Sequence, residues 1–264
     1  MSADAPHDDA IIRLEGVHKS FGTLKVLQGV DLSFYRGHTT VVIGPSGCGK
    51  SVMLKHIVGL LHPDRGEVWY EDHRVDKLPE TELVDIRTNF GYLFQLGALF
   101  DSMTVQQNVC FPLEEHAKMT EAARCDRCAE VLGLVGMSNT QNKFPAELSG
   151  GQRKRIALAR AIALHPKVIL YDEPTTGLDP IRSDTINELI IKLKDELHVS
   201  SIVVTHDMTS AYKIADRIVM LYDGHIIADA TPDELRNTEE PIVRAFIEGR
   251  SDMHQIDGLE AAVD

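Results

Sequence analysis

The sequence predicts an α/β fold with a parallel-sheet core, an N-terminal antiparallel β subdomain and an inserted α-helical lobe. Three observations predict it. Short apolar runs rich in β-branched residues recur along the chain, with helical stretches between them. The N-terminal segments instead alternate apolar and polar residues. A long central stretch has helical periodicity and contains no convincing parallel strand.

The N-terminal subdomain is predicted from two segments. "IIRLEGVHKSF" (11–21) and "VLQGVDLSFYRG" (26–37) alternate in the manner of antiparallel strands. They lead directly into the first strand of the core. We therefore expect a small β subdomain before the parallel sheet.

The core strands are predicted from four apolar runs, each of which ends near a Gly, Pro or Asp. A continuous apolar run is typical of a parallel strand that is buried on both faces, as in a doubly wound sheet. The runs are "TTVVIGP" (39–45), "VILYDEP" (168–174), "SIVVTHD" (201–207) and "RIVMLYDG" (217–224).

The helical lobe is predicted over about residues 97–165, from patterns such as "TEAARCDRCAEVLGLVG" and "RKRIALARAIAL". Near the C-terminus, Thr231 is a predicted N-cap followed by Pro232. "EEPIVRAFIEGR" then predicts a short amphipathic helix. We expect one domain over residues 11–248, followed by an acidic tail (249–264) that is flexible or becomes ordered on a partner.

Composition excludes several classes of function. The formal net charge of −13 argues against a protein that grips nucleic-acid phosphates. No apolar stretch approaches the ~20 residues that span a bilayer, and the N-terminus lacks a signal-peptide pattern, so a cytoplasmic protein is expected. Cys125 and Cys128 form a lone CxxC without the second pair that a zinc site needs, so we expect free thiols.

A phosphate-binding loop is predicted at "GPSGCGKS" (44–51), between an apolar strand and a helical pattern. Its glycines let backbone N–H groups face phosphate oxygens, and the following helix N-terminus favours negative charge. Lys50 is expected to reach the β- and γ-phosphates of ATP, and the Ser51 hydroxyl to bind Mg²⁺. The predicted nucleotide-binding residues here are Gly44, Pro45, Ser46, Gly47, Cys48, Gly49, Lys50, Ser51 and Val52.

Two acidic residues end the strand in "VILYDE". Asp172 is expected to hold Mg²⁺ through water, and Glu173 to orient or deprotonate an attacking water. Two acids at a strand end can instead be helix caps. The phosphate loop upstream favours the catalytic interpretation.

The stretch "ELSGGQRKRIALARAIALHP" (147–166), followed by a strand and "PTTGLDP", resembles the signature of the ABC-type ATPases over nearly the whole chain, about residues 11–248. The resemblance implies a P-loop ATPase with a RecA-like core. It also implies a head-to-tail dimer, in which the signature of one copy covers the nucleotide held by the other. The signature residues expected to bind nucleotide are Ser149, Gly150, Gly151 and Gln152.

The same resemblance implies further site residues. Gln95 matches the Q-loop glutamine that touches Mg²⁺ and the attacking water, Asp179 the D-loop, and His206 the switch histidine at the γ-phosphate. Phe21 matches the aromatic that stacks on adenine, and Val26 belongs to the same nucleotide-binding set. Val52 departs from the family, which often has Thr there and gains a bond to the α-phosphate, so a modest loss in ATP affinity is expected.

"GALFDSM" (97–103) places apolar side chains in a loop. The resemblance implies that a multi-span membrane permease docks at residues 95–103. The alternative is that Leu99 and Phe100 pack inside the helical lobe. Cys48 likewise has two interpretations: a small filler, or a thiol whose alkylation blocks the nucleotide.

The longer stretch "FQLGALFDSMTVQQNVCFPLEEH" (94–116) is similar to the ATPases of the Mla and Mce type. This similarity implies transport of phospholipids or other lipids between bacterial membranes, an MCE-domain partner and a peripheral position at the cytoplasmic face of the inner membrane. Many of these proteins carry Met where this chain has Gln152. The alternatives are an importer ATPase for a polar solute such as an amino acid or ion, and a non-transport ABC ATPase of DNA repair or translation.

Overall fold

The structure is a computed structural model that describes residues 9–95 and 97–250. Leu96 and most of the predicted acidic tail lie outside the described residues. The strands are β1 (Ala10–Phe21), β2 (Leu24–Tyr35), β3 (Thr39–Ile43), β4 (Arg65–Tyr70), β5 (His73–Arg74), β6 (Phe90–Leu93), β7 (Val168–Asp172), β8 (Ser200–Val204), β9 (Arg217–Tyr222) and β10 (His225–Ala230). The helices are α1 (Lys50–Ile57), α2 (Glu80–Arg87), α3 (Val105–His116), α4 (Glu121–Leu134), α5 (Gly150–Ile162), α6 (Pro180–Leu197), α7 (Met208–Ile214), α8 (Pro232–Arg236) and α9 (Pro241–Ile247).

The N-terminal strands form an antiparallel sheet in the order β2-β1-β4-β5. The long hairpin of β1 and β2 was predicted, and its inward side chains are fully buried. The sequence analysis did not predict β4 and β5. Strand β4 has the sequence "RGEVWY" and β5 has only two residues, so neither shows the apolar pattern of a buried strand.

The core is a six-stranded sheet in the order β10-β9-β3-β8-β7-β6. Strands β3, β7, β8 and β9 coincide with the four predicted runs, and the first three are buried along their whole length. Only β10 runs antiparallel to its neighbour. The predicted fold class is confirmed. Strands β3, β7 and β8 run parallel, so the loops that follow them meet at one edge of the sheet.

A helical lobe lies between β6 and β7 in the chain and consists of α3, α4 and α5. Each helix begins at an N-cap whose side chain accepts a backbone N–H bond. Helices α4 and α5 coincide with the two predicted helical patterns. Their buried apolar residues belong to one hydrophobic cluster that also contains Ile169 and Tyr171 of β7. The lobe is therefore packed directly on the core sheet.

Thr231 is the N-cap of α8, as the sequence predicts. Its side chain accepts a bond from the Glu234 N–H and forms a capping box at the start of α8. Helix α9 buries Ile242, Val243 and Ala245 in the same hydrophobic cluster, which we call the main hydrophobic cluster. No helix within residues 9–95 and 97–250 has the length and apolar character needed to cross a membrane.

Candidate active site

A cleft of about 280 Å³ opens where the carboxyl ends of β3 and β7 meet the loop after β8. It brings together residues that were predicted separately: the phosphate loop, Gln95 after β6, Glu173 after β7 and His206 after β8. The lining residues are Ser46, Gly47, Gly49, Lys50, Ser51, Val52, Gln95, Glu173 and His206. The geometry is that of one site built from four loops.

The loop between β3 and α1 depends on its glycines. Gly44, Gly47 and Gly49 have φ values of 147°, 85° and 108°, which L side chains rarely adopt. A Cβ on Gly44 would also lie 2.1 Å from the Leu221 carbonyl oxygen. These residues therefore let the backbone curve around a space into which the first N–H groups of α1 are directed.

Lys50 is the first residue of α1 and is only 6% exposed. Its Nζ donates to the carbonyl oxygens of Gly44 at 2.7 Å and Pro45 at 2.9 Å. The ammonium is thus held inside the loop while Lys50 still lines the cleft. A fixed cation beside a ring of backbone N–H groups suits a polyphosphate ligand.

Ser51, which lines the cleft, is hydrogen-bonded to Asp172. Ser51 Oγ donates to Asp172 Oδ1 at 2.8 Å, and the Tyr92 hydroxyl donates to the other carboxylate oxygen at 3.4 Å. Burial raises the pKa of Asp172 above its ordinary value, and the hydrogen bond from Ser51 partly offsets this effect. A hydroxyl and a buried carboxylate are the hard oxygen ligands that Mg²⁺ prefers, so these residues fit the predicted metal.

Glu173 has a left-handed backbone, with φ 51°. Its carboxylate accepts hydrogen bonds from Thr176 Oγ1 at 3.1 Å and Thr205 Oγ1 at 3.4 Å, and lies 3.0 Å from His206 Nδ1. The sequence analysis missed the two threonines. Their only signal was position, because each stands beside a predicted residue, in "PTTG" and in "VVTHD".

The predicted signature residues lie away from this cleft. Ser149 caps α5: its Oγ accepts from Gln152 N at 3.3 Å, and Gln152 Oε1 accepts from Ser149 N at 2.9 Å. The N–H groups of Gly150 and Gly151 belong to the first helical turn, which has no intrahelical acceptors. None of these residues lines the cleft. A single chain does not bring its signature to its own phosphate loop.

Asp179, Phe21 and Val26 also lie outside the cleft lining. Asp179 caps α6 by accepting from the Arg182 N–H at 3.0 Å. Phe21 is 46% exposed at the end of β1, and Val26 is buried against Gly49 beneath the phosphate loop. Their predicted nucleotide contacts stay predictions.

The cysteines are free thiols in this structure. Cys48 packs partly buried beside Gly44, and burial raises the pKa of its thiol above the ordinary value, although Lys50 opposes the shift. A thiol with a raised pKa is a poor nucleophile at neutral pH, which favours the filler interpretation. Burial raises the pKa of Cys128 in the helical lobe for the same reason.

The apolar loop divides between two environments. Leu99 is half-buried against the main hydrophobic cluster, whereas Phe100 is 42% exposed. The Phe100 ring lies 5.0 Å from the Phe111 ring, centroid to centroid, and the Arg160 guanidinium lies 5.8 Å from the Phe100 centroid. The packing alternative therefore describes Leu99, while Phe100 presents an aromatic surface.

Comparison with known proteins gives one consistent family. Residues 27–176 match the family described as "ABC transporter". The chain is 42% identical over 239 residues to the probable ribonucleotide transport ATP-binding protein Mkl of Mycobacterium tuberculosis, covering 90% of this chain and 67% of Mkl. It is 36% identical over 242 residues to the intermembrane phospholipid transport system ATP-binding protein MlaF of Escherichia coli, covering 92% of this chain and 90% of MlaF.

Solved structures agree with this result. The dimeric structure of the bacterial ABC transporter cassette MJ0796 superposes with a TM-score of 0.78 at 34% identity, covering 84% of this chain and 98% of that one. CbiO1 from Clostridium perfringens, described as part of the complex CbiONQ, has a TM-score of 0.81 at 27% identity. It covers 94% of this chain and 99% of CbiO1.

Proposed function

This chain belongs to the ABC transporter family of ATP-binding proteins, and we propose that it hydrolyses ATP to power phospholipid transport by a separate membrane permease. The observation that carries the lipid assignment is the similarity to E. coli MlaF over 92% of this chain and 90% of that protein. The cleft described above supplies the chemistry of hydrolysis.

The phosphate loop would bind the ATP phosphates. The backbone N–H groups around Gly47 and Gly49 and the first turn of α1 would donate to phosphate oxygens, and the Lys50 ammonium would neutralise their charge. Val52 occupies the position where a threonine would add one more donor. We therefore expect at most a modest loss in ATP affinity from the missing bond.

Ser51 and Asp172, with Gln95 at the cleft mouth, would hold Mg²⁺. When bound, the ion neutralises charge that builds up on the phosphate oxygens during transfer. Gln95 would also orient the attacking water.

Glu173 would be the general base. Its carboxylate takes a proton from a water that attacks the γ-phosphorus, while the bond to the β-phosphate oxygen breaks and ADP and phosphate are released. Thr176, Thr205 and His206 hold the carboxylate in the cleft. Because His206 Nδ1 faces Glu173, Nε2 is the ring nitrogen left to face the γ-phosphate, and it donates there when both ring nitrogens carry a proton.

The functional unit would be a head-to-tail dimer. The signature residues Ser149, Gly150 and Gly151 lie outside the cleft of their own chain and expose helix N–H groups that suit an anion. In a dimer they would cover the nucleotide of the partner copy, with Asp179 at the same interface. The dimeric cassette among the similar structures supports this arrangement.

The permease would dock at residues 95–103, where Phe100 exposes its ring. Burying apolar surface there contributes roughly 25 cal/mol per Å² of contact, and closure of the dimer would move the docked partner. The protein would then be peripheral at the cytoplasmic face of the inner membrane. An MCE-domain lipid-binding protein would complete the assembly, and no nucleic-acid partner is expected.

An importer ATPase for a polar solute is the second candidate, and the description of Mkl as a probable ribonucleotide transport ATP-binding protein gives it support, because a ribonucleotide is a polar solute. Both candidates use the same catalytic residues. They differ only in the subunits to which the chain binds and in the compound that those subunits carry.

The deciding experiment is purification of the tagged chain from its native membranes in mild detergent, with mass spectrometry of the proteins and lipids that accompany it. Phe100→Asp tests the docking site, and Leu60→Asp is a matched control because Leu60 is also exposed and lies outside residues 95–103. A multi-span permease with an MCE-domain protein and phospholipid, lost only in Phe100→Asp, supports the proposal. A solute-binding protein in their place would move the function to polar-solute import.

A further inference from the structure

Lys154 is a buried lysine of α5 that the catalytic scheme above does not use. It is 7% exposed. Its Nζ donates to the carbonyl oxygen of Glu173 at 3.2 Å and to that of Pro174 at 2.6 Å. The two partners are peptide carbonyls immediately at the proposed general base. The side chain therefore joins the helix that starts at the signature to the residue that performs the chemistry.

Burying an ammonium on neutral partners is costly, because carbonyl oxygens replace its hydration only in part. Burial lowers the pKa of Lys154 to about 8, against the opposing effect of Glu173. An apolar residue of similar length would avoid this cost. A lysine at residue 154 therefore lowers the stability of the fold, which suggests that it has another role.

The compensating role of Lys154 is to hold the backbone of Glu173. Its φ of 51° is in the left-handed region, which is unfavourable for a residue other than Gly, Asn or Asp. The Glu173 N–H donates to the Val204 carbonyl oxygen at 3.0 Å, and Lys154 holds the Glu173 carbonyl. Both sides of the strained residue are thus fixed by hydrogen bonds, and the direction of its side chain follows from its backbone.

We propose that Lys154 is a positioning residue for hydrolysis: by holding the carbonyls of Glu173 and Pro174, it keeps the Glu173 carboxylate directed into the cleft. The inference rests on the proposed role of Glu173 as general base. It also makes α5 a direct mechanical link between the signature end and the base of the same chain.

The test compares steady-state ATPase activity of Lys154→Met with that of Lys192→Met. Lys192 is the control because its Nζ also donates to a backbone carbonyl, that of Leu134 at 3.1 Å, and because Lys192 is outside the cleft lining. We expect kcat to fall about 10- to 100-fold in Lys154→Met with KM for ATP changed less than threefold. A kcat within twofold of the wild-type value would overturn the proposal.

Two measurements exclude a merely structural role. In a Glu173→Gln background, adding Lys154→Met should leave both the residual ATPase rate and ATP-dependent dimer formation unchanged, because Lys154 acts only through Glu173. A further multiplicative loss of rate, or a weaker dimer, would show that Lys154 supports α5 itself and would overturn the inference. If Lys154→Met does not fold, Lys154→Gln is measured in its place with the same criteria.

The Glu173→Gln chain alone separates this failure from failure of the general-base assignment. If Glu173→Gln keeps wild-type turnover, Glu173 is not the base and the assignment itself is wrong. If Glu173→Gln is inactive while Lys154→Met is fully active, the base stands and only the positioning role is lost.

Discussion

His206 Nδ1 lies 3.0 Å from a carboxylate oxygen of Glu173. The two residues follow the neighbouring parallel strands β8 and β7, whose register pairs Asp172 with Val204. The contact is therefore set by the sheet itself rather than by a flexible loop. Glu173 is largely buried, with 12% of its side chain exposed, whereas 53% of the His206 side chain is exposed.

His206→Ala should reduce ATPase turnover without unfolding the protein. It removes a hydrogen-bonding partner of Glu173 and a ring that lines the cleft, which we expect to lower kcat by about 100-fold. Because His206 is half-exposed, the melting temperature should change little. Steady-state ATPase assays and thermal unfolding measure the two effects. His225→Ala, an exposed histidine on β10, is the control, and a His206→Ala kcat within threefold of it would contradict the assignment.

Asn108→Ala should destabilise the protein and loosen the apolar loop at residues 97–103. The fully buried amide of Asn108 accepts from the Phe100 N–H at 2.8 Å and donates to the carbonyls of Phe100, Met103 and Thr104 at 3.0 to 3.1 Å. Leaving these backbone groups unpaired should cost about 3 kcal/mol of unfolding free energy, measured with urea. Residues 100–104 should also exchange their amide hydrogens faster.

The control for this variant is Asn89→Ala, since the Asn89 amide bonds only to carbonyls of its own preceding helix, α2. We expect it to lose less than about 1 kcal/mol. Equal losses in the two variants would mean that Asn108 does not organise the loop.

Gly44→Ala should abolish ATP binding. The new Cβ would lie 2.1 Å from the Leu221 carbonyl oxygen and 2.9 Å from Cys48 Sγ, so the phosphate loop must move or the chain must unfold. Gly37→Ala separates this collision from backbone strain, because Gly37 has φ 67° and nothing near its Cβ position. We expect a loss of about 1 kcal/mol for Gly37→Ala with ATP binding retained. Retained binding in Gly44→Ala, measured by calorimetry, would refute the expected collision.

Lys154 should make stability depend on pH in the alkaline range. Its pKa is about 8 in the folded chain and 10.5 as the ordinary value, so between these pH values the unfolded chain binds more protons. The unfolding free energy contributed by this group therefore rises with pH across that window, by up to about 3 kcal/mol. Comparing wild type with Lys154→Met at pH 7 to 10 isolates the effect. A pH-independent difference between them would contradict the shift.

The sequence predicted the parts of the fold whose physical signal is local. The strands β3, β7 and β8 are continuous apolar runs, and a strand buried on both faces must have that composition. Strand β6 escaped prediction because it has only four residues. One of them is Gly91, where a Cβ would lie 2.7 Å from the Ala161 carbonyl oxygen. A glycine is needed at residue 91 because α5 packs closely against β6, and this contact can be seen only in the folded chain.

The sequence predicted the site residues that belong to recognisable motifs. The phosphate loop, Asp172 and Glu173 were assigned from residue type and spacing. The structure places Glu173 and six residues of the loop in the cleft lining, and Asp172 is hydrogen-bonded to Ser51. Thr176, Thr205 and Lys154 were not assigned. Their importance depends on which atom a side chain reaches across the fold, and threonines and lysines are too common to signal that from sequence.

The left-handed backbone at Glu173 implies a trade-off between the stability of the fold and the proposed ATPase activity at one residue. Glycine adopts this conformation without strain, so Glu173→Gly would relieve a local cost of about 1 kcal/mol while removing the carboxylate. If Glu173 is the general base as proposed, selection for stability and selection for turnover act in opposite directions at this residue. A redesign that minimised backbone strain alone would favour glycine at this residue, and by the proposed mechanism it would yield a more stable but inactive protein.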